Sequence, residues 1–186
     1  MNGFLEWLGI WATTRAAGLT AYLLLFASVM TGMMSSLKML NGRSKSILLT
    51  VHQSSGWFGF LFGLVHGAVL LFDNYVNYSA TGLLIPFTAH SHPVLTGLGT
   101  LSFYCLLALL LSTDFIHKLG RKTWRLIHFL AFPCFALALT HGLMLGTDSQ
   151  YIWAKSLYLC TAILFAGMTL LRIGVAILDR KRTSQA

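Results

Sequence analysis

The chain has 186 residues with 13 Lys and Arg against 5 Asp and Glu, so charged side chains make up 10% where a soluble domain carries about 25%. Hydrophobic residues reach 56%, and the polar inventory is too small to cover the water-facing surface of a compact domain this size. An ordinary cytosolic enzyme is excluded, and the expected solvent is lipid.

Met1 to Thr14 carries Phe4, Leu5, Trp7, Leu8 and Trp11, an apolar stripe with interfacial tryptophans that suits a segment lying on the outer leaflet. The start lacks the basic stretch and small-residue cleavage site of a signal peptide, so the segment is expected to be retained. Charge-free runs then occupy 16–37, 46–72, 74–113, 126–147 and 156–171, against the roughly 20 apolar residues that span a bilayer. The expected fold is an all-α integral membrane protein, a bundle of five transmembrane helices. Span one is placed at 15–35, a basic turn at 37–46 and span two at 47–72. A long outer loop runs over 73–93, where Leu83-Leu84-Ile85-Pro86-Phe87 is apolar enough to fold back and cap what lies beneath. Span three is placed at 94–113, a basic loop to Trp124, span four at 125–145, a tight turn at 146–149 and span five at 150–178. The corresponding division is 1–14 as outer segment, 15–178 as the membrane domain and 179–186 as tail.

The net charge of +8 does not form one face or one tail, so no nucleic-acid partner is expected. Eleven of the 13 basic residues fall between spans one and two, between spans three and four, and at the C-terminal end. With five spans these regions share one side, which the positive-inside rule makes cytoplasmic. The expectation is a multi-pass cell-membrane protein with its N-terminus outside and its C-terminus inside. Arg15 and Lys155 are the exceptions near the outer surface; for Lys155 snorkelling accounts for the position. Cys105, Cys134 and Cys160 fall inside spans without a CxxC pair and are expected as buried small hydrophobes.

Four of seven histidines lie inside spans, where an ionisable group is costly and signals function. His52 and His66 are 14 residues apart on span two, and His128 and His141 are 13 apart on span four. Each pair is therefore separated by roughly 20 Å along the membrane normal. Spans two and four run parallel, so His52 shares the inner depth with His128 and His66 the outer depth with His141. One histidine from each helix at each of two depths is what two stacked six-coordinate haems require, whereas zinc would want three or four ligands converging at one depth. Fourteen residues at about 100° return close to the starting face, and Gly59 and Gly63 share it, leaving room for a flat macrocycle or, through small-xxx-small spacing, for close packing of a neighbouring helix. The 13-residue spacing on span four leaves its histidines about 140° apart on a straight helix, with Pro133 between them to kink it. Phe58, Phe60, Phe132 and Phe135 are candidates for the gap between the two levels. His90 and His92 belong to the outer loop, where they are solvated, bind a metal ion or contact a haem edge, and His117 belongs to the inner surface.

The histidine spacings, Thr14-Arg15-Ala16-Ala17-Gly18-Leu19, the 83–87 segment, Leu119-Gly120-Arg121-Lys122-Thr123-Trp124-Arg125-Leu126-Ile127-His128 and His141-Gly142-Leu143 together resemble the ferric reductase-like transmembrane domain. That family includes NADPH oxidases, yeast-type ferric reductases and small bacterial haem proteins, and the likeness runs from about Trp11 to Leu171. The resemblance implies two b-type haems, ligated by His52 with His128 and by His66 with His141. It implies single-electron transfer from a cytoplasmic donor to an external acceptor such as ferric or cupric ion, oxygen or a partner protein. It also places Arg15 at the position of an arginine near the outer haem, where it would meet a propionate or an incoming anionic or oxygen-derived species; the alternative for Arg15 is snorkelling to the interface. Two departures matter: Leu70 stands where oxidase members carry a further histidine, and no GxGxxG or flavin domain is expected in this chain. The electron donor is therefore expected to be a flavoprotein reductase or a quinol. Rival readings are a quinol-oxidising cytochrome b subunit of a larger complex, a non-haem histidine-lined proton or metal transporter, and a haem-delivery scaffold.

Overall fold

The computed structural model describes residues 9–37, 41–73 and 76–184, all of whose regular elements are helices. They are α1 (Ile10–Ser35), α2 (Gly42–Leu70), α3 (Ala80–Leu84), α4 (Pro93–Asp114), α5 (Ile116–His128), α6 (Ala131–Leu145), a 3-10 turn over Thr147–Gln150, and α7 (Ile152–Ser184). Phe4, Leu5, Trp7, Leu8 and Lys38 lie outside the described residues; Trp11 sits exposed on the first turn of α1, which starts five residues before the expected span.

Helices α1, α4 and α7 are long and apolar enough to cross a membrane, and α5 with α6 counts as a fourth crossing if the bent pair is one span. Helix α2 has the length, with 29 residues rising roughly 43 Å, but not the apolarity. Arg43 and Lys45 begin it, and His52-Gln53-Ser54-Ser55-Gly56 fills its middle. The polar residues that give α2 its chemistry are what dilute its hydropathy.

Helix α1 packs along α2 and also touches α6 and α7. Its Tyr22, Leu25, Val29 and Met33 recur at helical spacing and meet Leu106 and Leu109 of α4, Cys134 and Phe135 of α6 and Tyr158 of α7. Phe135 and Cys134 are fully buried, while Leu159, Ile163, Leu164, Leu170 and Leu171 of α7 point outward, as a lipid-facing helix requires. Cys105 is half-buried and Cys160 exposed on that same outer face, so the expectation of three buried thiols holds only for Cys134.

The α1–α2 hairpin keeps one antiparallel register over its whole length. A Cβ on Gly59 would meet Ala21, Leu24 and Leu25; Gly56 faces Ser28, His52 lies against Gly32, and His66 against Gly18. Each step along one helix is matched by an equal step back along the other. Helices α4 and α6 are antiparallel too, joined where Ser102 Oγ donates to the Cys134 carbonyl at 2.9 Å.

Two expectations are corrected in the α5–α6 region. The basic stretch before Trp124, expected as a loop, forms α5, interrupted only at Gly120, whose φ of 78° belongs to glycine. The continuous fourth span is instead two helices bent by 45°. Pro133 has no N–H for the Phe129 carbonyl and its ring crowds that turn, so the ladder breaks at Phe129–Leu130 and restarts at Ala131. His128 and His141 thus sit on different helices, which removes the angular mismatch calculated for one straight rod.

The described part of that loop, 76–92, does fold back. Ser79 caps α3 by accepting from Gly82 N–H at 3.0 Å, and Thr100 Oγ1 of α4 donates to the Leu83 carbonyl at 2.9 Å. Phe87 then seats on Gly97, where an added Cβ would lie 2.7 Å from the Phe87 nitrogen and closer still to its ring. Substitution Gly97→Ala is expected to overpack this seat by about 1–3 kcal/mol and lower the unfolding temperature by roughly 2–4 °C for each kcal/mol, read by thermal unfolding in detergent. An unchanged transition would show that the loop is not held there.

Candidate cofactor-binding site

The four intramembrane histidines form two facing pairs. His66 of α2 and His141 of α6 have ring centres 6.2 Å apart, and His52 of α2 and His128 of α5 have centres 6.0 Å apart. The planes cross at 84° and 71°. An imidazole–metal–imidazole arrangement, with bonds of about 2 Å and each nitrogen about 1 Å from its ring centre, separates the centres by about 6 Å.

Three of the rings are seated by one repeated device. His66 Nδ1 donates to the Thr14 carbonyl at 2.9 Å, His52 Nδ1 to the Ser28 carbonyl at 2.8 Å, and His141 Nδ1 to the Leu95 carbonyl at 2.8 Å. A carbonyl only accepts, so the proton sits on Nδ1 and the Nε2 lone pair is free for a metal. Four residues after each carbonyl comes a glycine: Gly18, Gly32 and Gly99. A Cβ there would stand 2.8, 2.9 and 2.7 Å from Nδ1 of His66, His52 and His141. Each ring thus lies flat over one turn of the neighbouring helix, where only a hydrogen side chain leaves room. Ser28 Oγ adds to the His52 seat, lying 3.1 Å from Nδ1 and donating to the His52 carbonyl at 2.9 Å.

Each pair faces a cavity. The one at His66 and His141 has a volume of about 710 Å³ and is lined by Gly18, Gly59, Gly63, Gly99 and Tyr22, with Leu83 and Leu84 of the folded-back loop. The one at His52 and His128 is about 350 Å³ and is lined by Gly32, Gly56, Trp57 and Phe132. Both fall within the size range of small-molecule sites. Leu25 and Leu106 line both cavities and form the wall between them, with Phe135 packed behind on Tyr22.

Of the remaining expected residues, Gly63 faces Phe103, and Gly59 packs on α1 while also lining the larger cavity. Phe60 stacks on Phe103, Phe132 lines the smaller cavity, and Phe58 is exposed. Arg15 lines the mouth of the larger cavity and is bound in a forked ion pair to Asp148 of the 3-10 turn, its Nε donating to Oδ2 at 3.0 Å. His92 lines that cavity, while His90 and His117 are exposed. The Thr14 hydroxyl, buried at the same cavity, has no hydrogen-bond partner among the described residues.

Among the described residues no three His, Cys, Asp or Glu side chains converge on one point. Two protein ligands per level are too few for a zinc site but fit a metal that brings its own equatorial donors on a flat, apolar ring.

The chain belongs to the ferric reductase like transmembrane component family, whose family model matches residues 17–139. Membership supports a transmembrane protein with a reductase-like role in electron transfer. The matched stretch contains α2, α4 and α5 and thus His52, His66 and His128, with His141 two residues beyond its end. No match to this chain was found among curated proteins or among solved structures.

The seats yield a prediction. Gly18→Ala and Gly32→Ala should each push one imidazole off its carbonyl and destabilise the fold by about 1–3 kcal/mol. Gly167→Ala, on an α7 position with open space around it, should leave stability unchanged. Thermal unfolding in detergent reads the outcome.

Proposed function

We propose that this chain is a five-span bundle carrying single electrons across the cell membrane on two b-type haems, His52 with His128 holding the inner one and His66 with His141 the outer one. The observation that carries this reading is the pair of stacked histidine couples, three of whose members are locked with Nε2 free toward a partner ring about 6 Å away. When bound, the two haems supply reversible one-electron chemistry at two depths roughly 20 Å apart.

The residues do the rest of the work by holding, insulating and orienting. Carbonyls of α1 and α4 fix three ligands before any cofactor arrives, so binding need not order them. Leu25, Leu106 and Phe135 fill the space between levels with apolar atoms, which obstructs proton passage and speaks against a histidine-lined proton relay. Arg15, steadied by Asp148, offers a guanidinium at the mouth of the outer cavity to an anionic cofactor edge or an incoming acceptor. Gly59 and Gly63 keep the α2 wall of that cavity flat.

The basic residues between spans support a reading in which the His52 level lies at the cytoplasmic face, with the N-terminus outside and the C-terminus inside. The proposed donor is a flavoprotein reductase or a quinol on that face, and the acceptor an external ferric or cupric ion, oxygen or a partner protein. With the interior negative, each electron moving outward is assisted by about 2.3 kcal/mol per 100 mV.

The decisive measurement is haem stoichiometry with a reduced-minus-oxidised spectrum on purified protein. Wild type should hold two haems; His52→Ala and His66→Ala should each lose one, and the double variant both. Unchanged content in either single variant would overturn the ligand assignment. Arg180→Cys should be labelled by an impermeant thiol reagent only after cells are opened; labelling of intact cells would reverse the sidedness.

A further inference from the structure

His128 departs from the seat that the other three histidines share. It is the last residue of α5, at the break before α6, and its Nδ1 is buried without a hydrogen-bond partner among the described residues. Its ring rests instead on Trp124, one turn earlier, with centres 4.8 Å apart and planes only 28° from parallel. The indole is itself tied down: its Nε1–H donates to Thr113 Oγ1 of α4 at 3.2 Å, and that hydroxyl donates to the Leu109 carbonyl at 3.0 Å. Helix α5 buries no residue of its own, so this stack and tether stand in for the carbonyl that seats each of the other rings.

We propose that the inner couple consists of one anchored and one yielding ligand, with Trp124 as the positioning residue of His128. On this proposal the His128 nitrogen is the one that leaves the metal when a small neutral ligand competes. The inference rests on the haem reading given above. A ring N–H bonded to a carbonyl makes the opposite nitrogen a stronger donor and fixes its direction, and losing such a partner typically weakens metal binding 10–100-fold. His52, His66 and His141 have that support and His128 lacks it. Stacking on Trp124 limits the tilt of the ring without strengthening its nitrogen. In the exchange, the Nε2–iron(II) bond of His128 breaks and an iron–carbon bond to carbon monoxide forms; no electron or proton moves, and the imidazole stays neutral.

The test uses the purified, haem-loaded chain reduced with dithionite and titrated with carbon monoxide, after haem stoichiometry has been measured. Fewer than two haems in wild type would sink the cofactor reading and this inference with it. With two haems present, carbon monoxide should bind one per chain. Binding should persist in His66→Ala, which keeps the inner level, and be absent in His52→Ala, which keeps the outer. Trp124→Ala should raise carbon monoxide affinity at least tenfold and add a high-spin signal while the outer haem spectrum stays as in wild type. Trp124→Phe, which keeps a stacked ring but has no N–H for Thr113, should fall between wild type and Trp124→Ala. Should Trp124→Ala shed haem, selective loss of the inner one with partial rescue by Trp124→Phe supports the same assignment. Binding to both haems, to neither, or to the outer one, or an affinity indifferent to Trp124→Ala, would overturn it.

Discussion

Three of the four imidazoles at the two levels depend on one contact: a ring N–H lying over a glycine and bonded to the carbonyl four residues before it. In lipid a histidine without a partner is costly, and a helix carbonyl already serving its own ladder still has a lone pair to offer. Thr14, Ser28 and Leu95 supply that lone pair, and Gly18, Gly32 and Gly99 supply the room. The contact satisfies the buried donor, sets the tautomer and aims the free nitrogen across the cavity. Packing, ligand chemistry and membrane compatibility meet in a single geometry.

The bundle around this contact divides its labour. Helix α2 carries one histidine of each couple and leans on α1 for both, so the spacing of the levels is set within one rigid hairpin. The opposite histidines come from two helices separated by the Phe129–Leu130 break, each of which meets its level independently. The loop over 76–92, pinned by Thr100 and by the Phe87 seat on Gly97, walls the larger cavity, while the smaller one has α5 and the Trp124 stack at its edge.

Much of this is legible in the residues. Composition reveals the lipid solvent, and the spacings of His52, His66, His128 and His141 reveal two depths, because membrane geometry converts residue number directly into height. The returning loop is readable from its apolar 83–87 segment. Less legible are the seats, since every residue has a carbonyl and none announces that it accepts a side chain. A signal was nonetheless present: Gly18 and Gly32 are separated by 14 residues, as are His52 and His66. The glycines of α2 are the more conspicuous in the sequence, yet Gly59 packs on α1 as well as lining a cavity. Helix α5 was obscured by its charge, which reads as loop although its apolar positions recur at helical intervals. Pro133 marked the bend correctly, but its effect falls one turn upstream, at the residue whose carbonyl it cannot serve.

The constant register of α1 and α2 has an evolutionary corollary. Adding or removing one residue in α1 between Gly18 and Gly32 would rotate one glycine about 100° away from its histidine, and the same change in α2 between His52 and His66 would do likewise. Neither could be accepted alone, so the two stretches should drift in length only through compensated events, if at all. Among descendants of a common ancestor, these two intervals should stay equal while lengths elsewhere wander.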